Sequence, residues 1–209
     1  MRVIRQQFII EDVIDGSQII KNIERCGRTC YKSEDKISAE TAVDFVKMII
    51  NLGHETVLEH EKITVRVICD RGVSHEIVRH RIASYSQEST RYCNYSKSKF
   101  GNEITVIEPL FFTGEQCASR YAAWVEAMNS AEHHYFKLIE LGATPQEART
   151  VLPNSLKTEI VMTMNLREWR HFFKLRTAKA AHPQMLEIAR PMLDEFKKRL
   201  PVVFDDICY

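Results

Sequence analysis

Apolar residues in this chain change their spacing several times from one end to the other, and that restricts the folds open to it. Residues 2–10 are rich in β-branched and apolar side chains. Ile63, Val65 and Val67 alternate with Thr64, Arg66 and Ile68, the period of a strand with one face buried. Residues 103–108 and 156–164 read the same way. Elsewhere the period is helical. Ile19, Ile20, Ile23 and Cys26 share one face, as do Ala42, Phe45, Val46, Ile49 and Ile50, with Ser38 expected as N-cap and Gly53 as the stop. A helix is expected over 74–80, an irregular polar stretch over 84–89, and further helices near 166–176 and 184–199. Thr113-Gly-Glu-Gln116 reads as a capping box opening a long helix that Gly142 ends; Thr144-Pro145-Gln146-Glu147 is a second box with Pro at the first helical position. Strands and helices are interspersed without the strict alternation of a doubly wound parallel sheet, so the expected class is α+β. No repeat, low-complexity tract or Pro/Gly/Ser-rich linker marks a boundary, which predicts one domain over 1–209.

Charge narrows the function. With 29 Lys+Arg against 28 Asp+Glu, a net +1 argues against a protein whose main task is to coat nucleic acid. The longest apolar runs, such as Met48-Ile49-Ile50, are too short to span a bilayer, and Met1-Arg2-Val3-Ile4-Arg5 lacks a signal peptide's apolar middle; a cytoplasmic protein is expected. Six cysteines without a CxxC pair are expected to be free thiols serving as packing.

The seven glycines are too dispersed to form GxGxxG or GxxxxGK[ST], so any nucleotide phosphate must be held by side chains. Arginine, present 16 times against 13 lysines, suits bidentate phosphate contact. His54-Glu55 with His60, and His75-Glu76 with His80, lack HExxH spacing and would turn away from a common helix face, so no metal site is expected. The densest chemistry lies in residues 79–92, where Arg79, Arg81 and Arg91 stand with His80 among hydroxyls and two tyrosines, and Glu88 is the sole carboxylate. Arg79 and Arg81 would diverge on a regular helix; serving one anion favours a helix end bending into a loop.

Arg79-His80-Arg81, followed by seven residues and Ser89, resembles the signature of the flavin-dependent thymidylate synthases. Gly53-His54-Glu55-Thr56-Val57-Leu58-Glu59-His60 looks like that family's flavin-contacting segment. Ala148-Arg149, Val151-Leu152-Pro153, Asn165-Leu166-Arg167, His171 and Leu175-Arg176 match its later landmarks in order, so the resemblance runs from about residue 50 to 190. It implies a mainly antiparallel sheet with long helices in a single compact domain. It also implies synthesis of dTMP from dUMP, with a one-carbon unit from 5,10-methylenetetrahydrofolate, a tightly bound FAD, and NADPH as reductant. The family is homotetrameric with active sites shared between subunits; neither nucleic acid nor membrane is a partner.

By similarity, Thr56, Glu59, Arg79, His80, Arg81, Asn165, Arg167 and His171 would contact FAD. Gln87, Ser89, Arg91, Arg149 and Arg176 would contact dUMP, with Glu76 and Tyr92 beside them. Some members carry glutamine at the position of Glu76, and a carboxylate would repel a phosphate, so Glu76 is expected to pair with an arginine or meet another part of the site. Arg176, Ser89 and His54 are expected nearest the chemistry. Methylation at the uracil C5 loads the ring carbonyl oxygens with negative charge, and Arg176 is the residue expected to stabilise it. Ser89 is read as a substrate-binding hydroxyl because no evident general base accompanies it; His54 with Glu55 also reads as a helix-end hydrogen-bonding pair. The competing function is an RNA-binding module that uses the Arg/Tyr segment as a stacking platform.

Overall fold

Asp15 opens the first helix by accepting a hydrogen bond from the Gln18 backbone N–H (3.0 Å), and Lys32, in the left-handed conformation at φ 47°, closes it. This helix, α1 (Gly16–Tyr31), is followed by α2 (Thr41–Asn51). In the computed structural model, which describes residues 1–112 and 114–209, α2 begins three residues later than Ser38. Ser38 is not its N-cap: the Ser38 backbone N–H donates to Thr41 Oγ1, and the Ser38 hydroxyl accepts from the Glu40 N–H in a local turn. Thr113, the first residue of the expected capping box, lies outside the described residues.

The described residues divide into two compact units. The first comprises Met1–Gln7, Val67–Arg79 and Ser86–Ile160; the second comprises Phe8–Arg66, His80–Tyr85 and Val161–Tyr209. The stretch 2–10, expected as one strand, is two. β1 (Arg2–Ile4) and β2 (Gln7–Ile10) belong to different sheets. A two-stranded parallel sheet pairs β1 with Thr105–Ile107, in the register Arg2↔Thr105, Val3↔Val106 and Ile4↔Ile107. The other sheet has four strands: β2, β3 (Lys62–Asp70), Lys157–Asn165 and β4 (Ala83–Gln87), in that spatial order. In chain order Thr105–Ile107 is β5 and Lys157–Asn165 is β6. The class is α+β with an antiparallel sheet, as expected.

β4 occupies part of the stretch expected to be irregular. Its side chains are mostly small and polar, so no apolar alternation advertises it, yet Ala83, Tyr85 and Gln87 are half-buried while Ser84 and Ser86 are exposed. α3 (Arg71–Ile77) starts with Asp70 accepting from the Val73 N–H (2.7 Å) and stops three residues short of the expected end. The triplet 79–81 therefore lies in a turn between helix and strand, where neighbouring side chains need not follow helical spacing.

The first unit's core gathers Met128 and Tyr135 from α4 (Ala118–Glu140) against Tyr95, Ile104, Val106, Ala148 and Leu156. Trp124, Phe136 and Ile139 pack on the same cluster, so core packing accounts for much of the helix's apolar surface. α5 (Pro145–Ala148) carries the expected Thr144/Glu147 capping box.

The second unit is built on α6 (Leu166–Arg176) and α7 (Pro183–Arg199), with the short α8 (Pro201–Phe204) beside them. Trp169, Phe172, Phe173, Phe196 and Phe204 meet there mostly edge to face, at centroid separations of 4.9–5.8 Å. Arg170 is buried among them at 1 % exposure. It holds Asp206 through two bonds of 2.7 Å, donates to Glu55 at 3.1 Å and also donates to the Val203 carbonyl. A guanidinium can be buried here because every face of it meets an acceptor.

Two stability outcomes are expected. Losing the buried guanidinium removes its packing and its bonds to Asp206, Glu55 and the Val203 carbonyl, so Arg170→Ala should cost about 3 kcal/mol in urea unfolding. A Cβ at Gly27 would come within 2.5 Å of the Phe45 ring, so Gly27→Ala should cost about 1–3 kcal/mol in the same assay, although alanine is the better helix former.

Candidate active site

α6 presents three faces, and its capping sets their direction. Asn165 accepts from the Glu168 N–H (2.8 Å) and starts the helix at Leu166. Residues 166, 169, 170 and 173 then turn into the core, Arg167, His171 and Lys174 face outward, and Glu168, Phe172 and Arg176 form the strip between. The outward face lines a cavity of about 470 Å³ together with Asn165, Glu168, Glu55, Glu59 and Ile82. Arg167 donates to Glu59 at 2.6 Å, and Lys174 stands 3.8 Å from Glu55.

The strip between carries the tightest arrangement. His80 is 4 % exposed and packs its ring on Phe172 and His171, at centroid separations of 4.9 and 5.4 Å. Its Nδ1 is 2.9 Å from Glu168 Oε1, and its Nε2 accepts the Arg176 Nε–H at 3.1 Å. The Tyr85 hydroxyl donates to the His80 carbonyl at 2.7 Å, and burial pushes that phenol up to about 12. Burial also lowers the His80 pKa, and Arg176 and His171 push it the same way against the opposing pull of Glu168.

His80, Glu168 and His171 place their ligating atoms within 4.8 Å of one another. Both ring nitrogens of His80 are already engaged, one of them by a guanidinium that would repel a cation, so the trio is built for a hydrogen-bond chain rather than a metal.

In the first unit, Arg149 reaches Thr90 Oγ1 at 3.4 Å, and both line a smaller cavity of about 240 Å³ with Arg71, His75, Thr150 and Asn154 among its other walls. The Ser89 hydroxyl accepts from the Arg91 backbone N–H (3.3 Å), which makes it a turn-forming group here. Arg91 lies over the Tyr92 ring at 5.5 Å. Gln87 donates to Ser74 Oγ (3.0 Å) and Thr158 Oγ1 (3.2 Å). Glu88 is bound by Lys157 at 2.8 Å and by the Tyr95 hydroxyl at 3.0 Å, so the segment's sole carboxylate is matched by those partners.

The expected residues thus sort by unit. His54, Thr56, Glu59, His80, Arg81, Asn165, Arg167, His171 and Arg176 lie in the second; Glu76, Arg79, Gln87, Ser89, Arg91, Tyr92 and Arg149 lie in the first. His54 does not line the cavity of Arg167 and His171: its Nδ1 meets the Tyr31 hydroxyl at 2.7 Å, at the end of α2. Sequence reasoning did not pick out Glu168, Lys174 or Arg71, and it considered His75 only as a metal ligand. Glu168 had a legible signal, a carboxylate three residues after an N-capping Asn, but that pattern also fits an ordinary helix start. All six cysteines are free as expected; Cys30 and Cys208 are exposed, so packing does not explain those two.

The family described as "Thymidylate synthase complementing protein" matches residues 12–202. The chain is 37% identical to the flavin-dependent thymidylate synthase of Geobacter sulfurreducens over 188 residues, 86% of this chain and 78% of that protein. It is 34% identical to the one from Pyrococcus furiosus (83% and 70% covered) and 35% identical to the one from Mycolicibacterium gilvum (88% and 78%). The chain belongs to the flavin-dependent thymidylate synthases. It is therefore an enzyme, and no helix among the described residues is long and apolar enough to cross a membrane.

The cavity on α6 fits part of a flavin cofactor by its donors. Arg167, Lys174 and His171 are donors suited to a phosphate, Glu55 and Glu59 are acceptors suited to sugar hydroxyls, and the volume is of ligand size.

A buried His held neutral implies a definite pH response. The unfolded chain binds a proton near pH 6.5 while the folded one resists, so stability is greatest above that value and falls as the pH drops below it. Melting curves at pH 7.5 and 5.5 should show a loss on acidification that is smaller in His80→Gln; an identical loss in both proteins would assign it to another group.

Proposed function

We propose that this enzyme makes dTMP from dUMP, with 5,10-methylenetetrahydrofolate as carbon donor and NADPH as the reductant of a tightly bound FAD. The observation that carries the reading is the pair of arginine-bearing cavities: Arg167 with His171 and Lys174 on one, Arg149 with Thr90 on the other. Two phosphorylated ligands ask for two such sites in a chain whose glycines form no phosphate loop.

Glu59, Asn165, Arg167 and His171 would hold FAD along the α6 cavity, with Thr56, Arg79, His80 and Arg81 as further contacts. Asn165 spends its side-chain oxygen on the helix cap, which leaves its NH₂ as the group suited to a ligand acceptor. When bound, FAD supplies the hydride that no side chain can deliver.

On the substrate side, Arg149 and Arg91 would bind the dUMP phosphate, helped by Ser89 and Gln87, while Glu76 and Tyr92 complete the surround. Arg176 would face the uracil carbonyl oxygens, where its charge stabilises the electron density that builds up as C5 is methylated. Ser89 has a binding role: its hydroxyl contacts a backbone N–H, and a serine needs a base to act as a nucleophile. His54, hydrogen-bonded to Tyr31 at 2.7 Å, would take part through the segment 53–60.

Residues 1–209 are read as one functional domain, in a cytoplasmic homotetramer whose subunits share active sites. Nothing in the family match favours the RNA-binding reading.

The purified protein should be yellow, oxidise NADPH, and convert dUMP to dTMP only with methylenetetrahydrofolate present; a colourless protein that takes up no FAD rejects the proposal. Arg176→Ala should lose turnover by about two to three orders of magnitude, the scale of a removed oxyanion donor, while keeping its flavin absorbance. Ser89→Ala should keep measurable turnover, and inactivity with intact dUMP binding would restore the nucleophile reading.

A further inference from the structure

The Glu168–His80–Arg176 chain settles where the imidazole proton sits. A guanidinium Nε–H is always a donor, so His80 Nε2, 3.1 Å from it, must be an unprotonated acceptor. The proton of a neutral His80 is then on Nδ1, where the Glu168 carboxylate accepts it at 2.9 Å. Glu168 is 7 % exposed and spends its backbone N–H on the Asn165 cap, so its side chain is anchored from both directions.

We propose that Glu168 is a positioning residue of this enzyme: it holds His80 in the Nδ1–H tautomer, so that Nε2 fixes the Arg176 guanidinium for the pyrimidine. This rests on Arg176 acting at the uracil ring, as proposed above. Glu168 itself touches no substrate in this scheme; it works through an imidazole, as a carboxylate behind a metal-ligating or catalytic histidine does.

The same geometry makes the arrangement sensitive to acid. Protonated His80 would carry donors on both nitrogens and could no longer accept from Arg176, and two cations would then face each other. The titratable groups facing His80 are Glu168, His171 and Arg176 on α6 and Tyr85 on β4. Of these, Glu168 alone offers negative charge near neutral pH.

The test uses conservative and non-conservative variants of the full-length enzyme. In ¹⁵N-histidine-labelled protein without substrate, the His80 resonances should show Nδ1 protonated and Nε2 not. In Glu168→Ala that preference should be lost, and kcat/KM for dUMP should fall about ten- to a hundred-fold, the scale of a misoriented reacting group. Glu168→Gln, whose side-chain carbonyl can still accept from Nδ1–H, should keep the tautomer and most of the rate. Its alkaline-side activity should match the wild type while its acid limb shifts.

A wild-type His80 protonated on Nε2 would overturn the proposal, as would Glu168→Ala with unaltered tautomer and turnover, or Glu168→Gln as impaired as the alanine variant. If Glu168→Ala does not fold, the wild-type tautomer and the glutamine variant decide. The tautomer is read without flavin chemistry: a wild-type protein that makes dTMP with the wrong tautomer sinks this inference alone, while one that binds no FAD sinks the family activity.

Discussion

Much of this structure's chemistry depends on how one helix starts. Asn165 ends β6 and caps α6 in a single step, and the position of that cap decides which side chains of α6 face which way. Were the helix to begin one residue later, its face pattern would rotate by about 100°. The core would lose Trp169 and Phe173, and the cavity would lose Arg167 and His171. A single side-chain-to-backbone hydrogen bond of 2.8 Å therefore helps to align the aromatic core, the cationic cavity wall and the strip that meets His80.

Around that helix, charge is handled by pairing rather than by exclusion. Arg170 sits at 1 % exposure only because Asp206, Glu55 and a backbone carbonyl surround it. Its role is structural. His80 and Glu168 are buried by the same logic, yet their chain ends on Arg176, which is only partly covered. The difference lies in where each network terminates: Arg170 is enclosed within the fold, whereas the His80 chain ends on a guanidinium that is partly exposed. Glu88 belongs with the first kind, since Lys157 and Tyr95 occupy it.

Long, strongly periodic segments were legible before any coordinates. The strand at β3, the helices α1, α2, α6 and α7 and the box at Thr144 follow from spacing and capping chemistry. The failures have physical causes. β4 is an edge strand of small polar residues, so a period of two in burial leaves no period of two in hydrophobicity. The stretch 2–10 mixes apolar residues with Arg2, Arg5, Gln6 and Gln7, and its residue types do not say that 2–4 and 7–10 will pair with different partners. Ser38 has the composition of a cap, but Thr41 Oγ1 and Glu24 draw that turn into another geometry.

For the site, residue type and chain order already supply the inventory: arginines 79, 81, 91, 149, 167 and 176 in family order and no glycine loop, which leaves guanidinium groups as the side chains suited to a phosphate. Chain order and residue type suffice for that, because they are local properties. Folding alone buries His80 between its two exposed arginine neighbours, brings Glu168, 88 residues away, to accept from it, and sets Arg176 on its other nitrogen. Hydrogen bonds between residues so far apart depend on how the stretch at His80 packs on α6 within the second unit, and a linear pattern carries no record of that packing.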